Sequence, residues 1–103
     1  MTMQTDVKVS QPLGADNTFK DQAGNVIGRC RIKAVYGTSG AAAGTVVIYD
    51  GSSAAGDCLM TISTPTAATQ GTFWLLMPGE GVLAKTGLYA DLTNVDSVMV
   101  IYG

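Results

Sequence analysis

Short apolar segments separated by turn residues recur along the whole chain. The turns contain glycine, proline, aspartate and asparagine, which favour tight backbone bends. The segments between them are about four to nine residues long, which is strand length and too short for most helices. This pattern predicts an all-β fold: a single β-sandwich or jelly-roll-like domain of about seven or eight short antiparallel strands. The turn segments are Pro12–Gly14, Asp21–Gly24, Gly37–Gly40, Asp50–Gly51, Gly56–Asp57, Pro78–Gly81, Thr86–Gly87 and Thr93–Asn94.

The first predicted strand runs from Asp6 to Gln11 and alternates valine with polar residues. Alternation of this kind indicates one buried and one solvated face. We therefore expect residues 1–17 to form an N-terminal extended arm or edge strand, and residues 18–103 to form the β-sandwich domain. In the predicted strand, the buried face carries Val7 and Val9, and the solvated face carries Lys8 and Ser10.

A second alternating segment, from Asn25 to Tyr36, separates three apolar residues from three cations. Half of the six Lys and Arg residues therefore lie on one predicted strand face. A charged strand face is typical of a solvated surface, and it also suits electrostatic contact with an acidic partner. A third segment, Cys58 to Ser63, alternates in the same way, with Cys58 on the apolar side. The cations of the second segment are Arg29, Arg31 and Lys33, opposite Cys30, Ile32 and Ala34.

Two other segments are apolar almost throughout, and this is typical of strands in the core. Thr45–Tyr49 is predicted to be a central strand buried on both faces, ended by the Asp50–Gly51 turn. Phe73–Met77 is predicted to be a buried strand ended by Pro78, with Trp74 in the core. The predicted core comprises Val46–Ile48, Phe73–Leu76 and Val98–Tyr102.

The remaining segments complete the predicted strand order. Thr64–Gly71 is rich in Thr, Ala and Pro and is predicted to be the longest loop. Leu88–Thr93 and Ser97–Tyr102 are predicted to pair as a closing hairpin. Ala41–Ala43 favours a helix but is enclosed by glycines and is too short to nucleate one.

The composition restricts the classes of function. Hydrophobic residues make up 47% of the 103 residues and charged residues only 14%, so much of the surface must be Thr, Ser, Ala and Gly. A surface of this kind loses water at little cost, and this suits packing against copies of itself or another protein. The net charge of −2 and the pI near 4.6 argue against nucleic acid as a partner.

Candidate chemistry is sparse, and we expect no catalytic, cofactor or metal site and no enzymatic activity. The chain has no histidine, which is the commonest general base and metal ligand. Ser52–Ser53 and Gly79–Gly81 are expected to form turns, since the glycine-rich segment lacks the Lys and Ser or Thr of a phosphate loop. Asp50 and Asp57 flank one loop and could bind Ca²⁺, but calcium sites usually recruit more carboxylates.

The two cysteines, Cys30 and Cys58, are too few for a disulfide scaffold and are expected to be free thiols packed as small apolar residues. No basic segment followed by an apolar stretch occurs near Met1, and no run approaches 18 apolar residues. We therefore expect a soluble protein made in the cytosol, with no membrane partner.

Several segments resemble small virion proteins of tailed bacteriophages, among which those of cyanophages and marine phages are the nearest. The resemblance spans most of the chain and consists of structural turns and strands, so no catalytic residue is carried over with it. The segments are MQTDVKVS (Met3–Ser10), GRCRIK (Gly28–Lys33), PGEGVL (Pro78–Leu83), YADLTNV (Tyr89–Val95) and VIYG (Val100–Gly103).

The resemblance implies a β-rich protein that assembles in the host cytoplasm and lies on the particle surface. It implies a capsid decoration (cement) protein that bridges capsomers, whose partners are the major capsid protein or another virion protein and copies of itself, with a trimer favoured. A tail, neck or fibre-associated component would have a similar sequence, and a carbohydrate-binding β-sandwich is a further alternative. The candidate contact residues are Arg29, Arg31, Lys33, Val7, Lys8 and Val9.

Overall fold

Residues 7–65 and 71–103 are described by a computed structural model, in which they form two antiparallel β-sheets. No helix occurs in these two ranges, and the prediction of an all-β sandwich is confirmed. Two short strands, the second and the seventh, were not predicted. The strands in the described ranges are β1 (Lys8–Val9), β2 (Asn17–Thr18), β3 (Cys30–Ser39), β4 (Gly44–Asp50), β5 (Asp57–Thr64), β6 (Thr72–Leu76), β7 (Val82–Ala84), β8 (Leu88–Thr93) and β9 (Val95–Tyr102).

The sheets have the strand orders β1-β9-β3-β6 (sheet A) and β2-β8-β4-β5 (sheet B). In sheet A, β7 also pairs with β3, next to the segment that pairs with β6. The predicted closing hairpin is wrong, because β8 belongs to sheet B and β9 to sheet A. Asn94 lies between them with a φ of 54°, a left-handed conformation that asparagine tolerates, so the chain turns there from one sheet to the other.

The core lies between the two sheets and is formed by alternate residues of their strands. Phe19, in the connection between β2 and β3, is also completely buried. Its backbone N–H donates to the Leu88 carbonyl at 2.9 Å, and its own carbonyl accepts from the Ile27 N–H at 3.1 Å. The buried cluster consists of Phe19, Ile27, Cys30, Ile32, Val35, Val46, Ile48, Phe73, Ala84, Leu88, Ala90, Val95, Val98, Val100 and Tyr102.

The central position of β4 is confirmed, since it lies between β8 and β5, but its predicted burial on both faces is wrong. Val46 and Ile48 are fully buried, whereas Thr45, Val47 and Tyr49 are half-buried on the other side of the sheet. Only one face of β4 therefore packs into the core. The other face is partly covered by neighbouring side chains, including Tyr89, whose ring centroid is 6.4 Å from that of Tyr49.

The strand predicted at Asn25–Tyr36 begins later and ends later, as β3 from Cys30 to Ser39. A register shift in its pairing with β9, between Ile32 and Ala34, inserts an extra residue. Such a bulge reverses the alternation of faces, so that Val35 is buried and Tyr36 is exposed. The prediction that Ala34 shares a face with Ile32 is therefore wrong, and Ala34 lies on the same face as Tyr36.

At the N-terminal end, the predicted burial of the first strand is wrong for Val7, Val9 and Ser10, whereas Lys8 is exposed as predicted. Val7 and Val9 are exposed, whereas Ser10 is buried. The Ser10 hydroxyl accepts a hydrogen bond from the Val100 N–H at 2.9 Å, and the Ser10 N–H donates to the Val100 carbonyl at 2.9 Å. These bonds satisfy the buried serine and hold residues next to β1 against β9. Residues 1–6 of the predicted arm, and residues 66–70 of the predicted long loop, lie outside the described residues.

Asp50, at the end of β4, holds the loop before β8. Its carboxylate accepts hydrogen bonds from the backbone N–H groups of Lys85, Thr86 and Gly87, at 2.9, 2.8 and 3.3 Å. Because the N–H groups of Lys85 and Thr86 stabilise the charged form, they lower the pKa of Asp50 below its ordinary 3.8. The carboxylate therefore has a structural role, because it holds the loop before β8 through these three hydrogen bonds.

Replacement of Asp50 by asparagine is expected to lower the thermal unfolding midpoint at pH 7, because the amide lacks the charge and one acceptor oxygen. The lowered pKa makes the carboxylate stabilising above pH 3.8, and this contribution is lost as the pH falls through the folded-state pKa. The difference between wild type and Asp50→Asn should therefore narrow in acid. Thermal unfolding followed by circular dichroism between pH 7 and about pH 3 checks this; a constant difference would contradict it.

Candidate interaction surface

The outer face of sheet A carries a continuous set of apolar side chains. Directly paired residues of an antiparallel sheet share a face, so the register gives the neighbours on it. One row joins Val9, Ile101, Ala34 and Leu76 across four strands. The next row joins Met99, Tyr36 and Trp74 across three. We call these seven residues the apolar face.

The apolar face is most exposed on β6, which forms an edge of sheet A. The prediction of β6 as a buried core strand is wrong, because Phe73 is its only buried residue. Trp74 is 66% exposed and Leu76 is 68% exposed, and Tyr36 beside Trp74 is 42% exposed. Solvent-exposed leucine and valine are common singly, but an aromatic and aliphatic cluster of this kind typically marks an interaction site.

Cations lie at one border of the apolar face. Arg31 and Lys33 alternate with the buried Cys30 and Ile32, so they point outward, and Lys33 is the extra residue of the bulge in β3. Lys33 Nζ donates to the Glu80 carbonyl at 2.6 Å, which fixes the ammonium beside the turn after β6. Arg29 is exposed but precedes β3, so the predicted three-cation strand face reduces to two.

The charges of the two sheets differ in sign. The described strands of sheet A contain Lys8, Arg31 and Lys33 with a single carboxylate, Asp96. The described strands of sheet B contain three carboxylates and no cation; the three are Asp50, Asp57 and Asp91. A molecule whose net charge is −2 therefore presents its positive strands together with its apolar face. This arrangement favours a partner with both apolar and acidic groups.

The N-terminal candidates lie beside the apolar face. Val9 belongs to it, whereas Lys8 pairs with Tyr102 and places its Nζ 5.8 Å from the centroid of that ring. Val7 is exposed at the same edge of the sheet. The structure thus brings Val9, Arg31 and Lys33 to one side of the molecule with Tyr36 and with Trp74, which was predicted to lie in the core.

The thiols have no arrangement suited to chemistry. Cys30 is buried in sheet A, and burial raises the pKa of its thiol to about 11, so it is protonated and unreactive at neutral pH. Cys58 is exposed in sheet B, which corrects its prediction as a buried residue. Both are free. Leu59 has no partner in the β4 pairing, and this bulge turns Cys58 outward.

Other candidate chemistry in the described ranges is limited. No group of three or more acidic or cysteine side chains that could hold a metal ion occurs in residues 7–65 and 71–103. A cleft of about 630 Å³ lies at one end of the sandwich and contains Asp16 and Asp96. The Asp16 carboxylate there accepts the Leu92 N–H at 2.7 Å and thus fixes the loop before β2.

The part of the chain that the structure describes contains no helix that is long and apolar enough to cross a membrane. Comparisons of the chain with protein-family models, with curated proteins and with solved structures found no match. The geometry of the apolar face is therefore the basis on which a function is proposed.

Proposed function

We propose that this protein is a non-enzymatic structural component of a bacteriophage particle, a capsid decoration protein that binds the outer shell and stabilises contacts between capsomers. It docks through the apolar face of sheet A. The observation that carries this proposal is the exposure of Trp74 and Leu76 next to Tyr36 on the outer face of sheet A.

The composition of the apolar face supports a protein partner. Protein interfaces are enriched in aromatic residues, methionine and arginine and depleted in charge at their centre. The apolar face contains Trp74, Tyr36 and Met99, and Arg31 lies at its border. An apolar surface with cations at one border favours a partner whose acidic groups lie beside an apolar patch.

The position of the apolar face on an open sheet supports a role in assembly. The largest apolar exposure lies on an open sheet, which can cover a broad neighbouring surface. Only 14% of the residues are charged, so water is released from the remaining surface at little cost. These properties suit a protein held at many sites of a shell, as the resemblance to small virion proteins implies.

Removal of the protein from the particle tests the proposal. Shells that lack it should still assemble, but they should break at a lower temperature or internal pressure than complete shells. Re-addition of purified protein should restore the lost resistance. Unchanged shell stability would overturn the proposal. Labelled protein seen at a single vertex or along the tail, instead of across the shell, would support the alternative of a tail, neck or fibre component.

Reversal of Arg31, a border cation, together with the neighbouring exposed Arg29 should weaken docking while the fold stays intact. We expect the double variant Arg29→Glu, Arg31→Glu to bind shells about tenfold more weakly at physiological salt, since opposite charges steer and orient the contact. The control, Lys20→Glu with Lys85→Glu, changes the net charge equally but lies outside sheet A. Co-sedimentation with shells measures both. Equal binding of the two double variants would exclude Arg29 and Arg31 from the contact.

A carbohydrate is a second candidate partner, favoured by one observation. Trp74 and Tyr36 are direct cross-strand neighbours and both are exposed, so their rings form a platform on which a sugar ring could stack. Titration with a panel of oligosaccharides, followed by the fluorescence of the single tryptophan, tests this. A saturable blue shift that is lost in Tyr36→Ala would support it. Unchanged emission at millimolar sugar would exclude it.

A further inference from the structure

The edges of the two sheets are protected to different degrees. Unpaired backbone groups at a sheet edge can pair with another strand, and proteins usually prevent this with short, interrupted or charged edges. At three of the four edges the strands are short or interrupted: β1 and β2 have two residues each, and the β6–β7 edge is divided by the loop Pro78–Gly81. In the described residues, β5 is the long edge strand, with β4 on one side only.

The sequence of β5 leaves one part of this edge open. The bulge at Leu59 interrupts its first half, and Pro65 follows its end without a backbone N–H. Between them, Met60–Thr64 pairs regularly with β4 and contains no charge, proline or glycine. Met60 and Ile62 on its inner face are only half-buried, although both pack against the core.

We propose that Met60–Thr64 pairs with the same segment of a second copy, antiparallel about a two-fold axis at Ile62. The two copies of sheet B then form one continuous eight-stranded sheet. Ile62 lies opposite Ile62 of the second copy, and Thr61 lies opposite Ser63. The half-buried side chains of Met60 and Ile62 in one copy then lie next to those of the other copy, so their exposed apolar surface decreases.

The charge pattern favours a second copy in this orientation. In the antiparallel arrangement Asp57 lies beyond the paired segment and next to the uncharged C-terminal end of the other β5. In a parallel arrangement the two Asp57 carboxylates would lie side by side and repel each other. Self-pairing therefore requires no complementary partner charge, although each copy has a net charge of −2.

The pairing is expected to be weak in solution. Five residues from each copy bury less than a standard interface area, so we expect a dissociation constant of roughly 10–100 µM. On a surface that holds many copies close together, this affinity is sufficient for pairs to form. The inference predicts a two-fold pair, whereas the resemblance to virion proteins implied a trimer. It is independent of the proposed function, because the apolar face is on the other sheet.

Sedimentation equilibrium of the purified chain tests the proposal over about 5 to 500 µM protein, a range that spans this affinity. The mass should rise from one to two chains of 10.6 kDa. The variant Thr61→Lys, Ser63→Lys should raise the dissociation constant at least tenfold, because four lysines then face one another. Mixing it with Thr61→Glu, Ser63→Glu should restore a heterodimer. Thr93→Lys, exposed on the same sheet but away from the edge, should behave as wild type.

Several results would overturn the proposal. They are a monomer across the whole concentration range, a trimer, or a dimer that the lysine variant leaves intact. Dissociation by Trp74→Ala instead would assign self-association to the apolar face. Oxidation of Ile62→Cys in a Cys58→Ser background gives a second readout, since the two introduced cysteines should cross-link if the axis passes through position 62. Failure of shell binding alone would leave the dimer unaffected, so the two proposals are tested separately.

Discussion

Gly37→Ala should destabilise the fold by roughly 2–4 kcal/mol and lower the thermal midpoint by roughly 10–20 °C. Gly37 lies in the middle of β3, between Phe73 of β6 and Val98 of β9. A Cβ at this position would overlap the Phe73 ring and would lie 2.7 Å from the Ser97 carbonyl oxygen. The backbone oxygen is fixed by the sheet, so either strand or ring must move in a closely packed core.

A matched control separates this collision from the general effect of replacing glycine. A Cβ at Gly28 meets no atom within 4 Å, so Gly28→Ala should be neutral or slightly stabilising through the unfolded chain. In a double-mutant cycle, Phe73→Leu should recover part of the loss at Gly37, because the smaller side chain makes room. Chemical denaturation of the four variants measures these effects. Equal stability of Gly37→Ala and Gly28→Ala would contradict the predicted collision, because it would mean that the structure accommodates a Cβ at Gly37 without loss of stability.

The fold class follows from the sequence because turn residues and short apolar segments have a direct local effect on the backbone. Gly79 and Gly81, for example, adopt φ values of 60° and 90° in the turn predicted for them. The position of β4 in the centre of its sheet is also predictable, since β-branched apolar residues fill the core. Such features depend on a few neighbouring residues and require no knowledge of which strands pair.

The arrangement of faces could not be predicted, because it depends on bulges and on strand order. One extra residue in β3 places Tyr36 outside, and the bulge at Leu59 turns Cys58 outward. Neither bulge is marked by a glycine or proline at the shift. Periodicity counted through these positions therefore assigns the wrong face from the bulge onward.

The apolar face was missed for a related reason. Phe73–Leu76 is as hydrophobic as a buried strand, and hydrophobicity alone does not distinguish a core strand from an edge strand that contacts a partner. The available signal was the combination of a high apolar share with few charges, which predicted a contact surface without locating it. The strand order was needed to find it: β6 pairs with β3 on one side only, so β6 is an edge strand on which Trp74 can be exposed.

Trp74→Ala should reduce shell binding roughly 30-fold or more, a loss of about 2 kcal/mol, and leave the stability of the isolated protein within about 0.5 kcal/mol. The side chain is 66% exposed in the free molecule, so its removal takes little from the core. In the complex it would be covered by the partner, and an aromatic side chain contributes most where water is excluded. Co-sedimentation and thermal unfolding of the same preparation measure both quantities.

Val26→Ala is the matched control, because Val26 is 58% exposed but belongs to neither sheet. The single tryptophan adds an independent measurement. In the free protein its emission should be red-shifted and readily quenched by iodide, and shell binding should shift it to the blue and protect it. Since Trp74 is the only source of this signal, protection reports burial of the apolar face itself. Binding without such a shift would place the contact on another surface, even if shell stability depends on the protein.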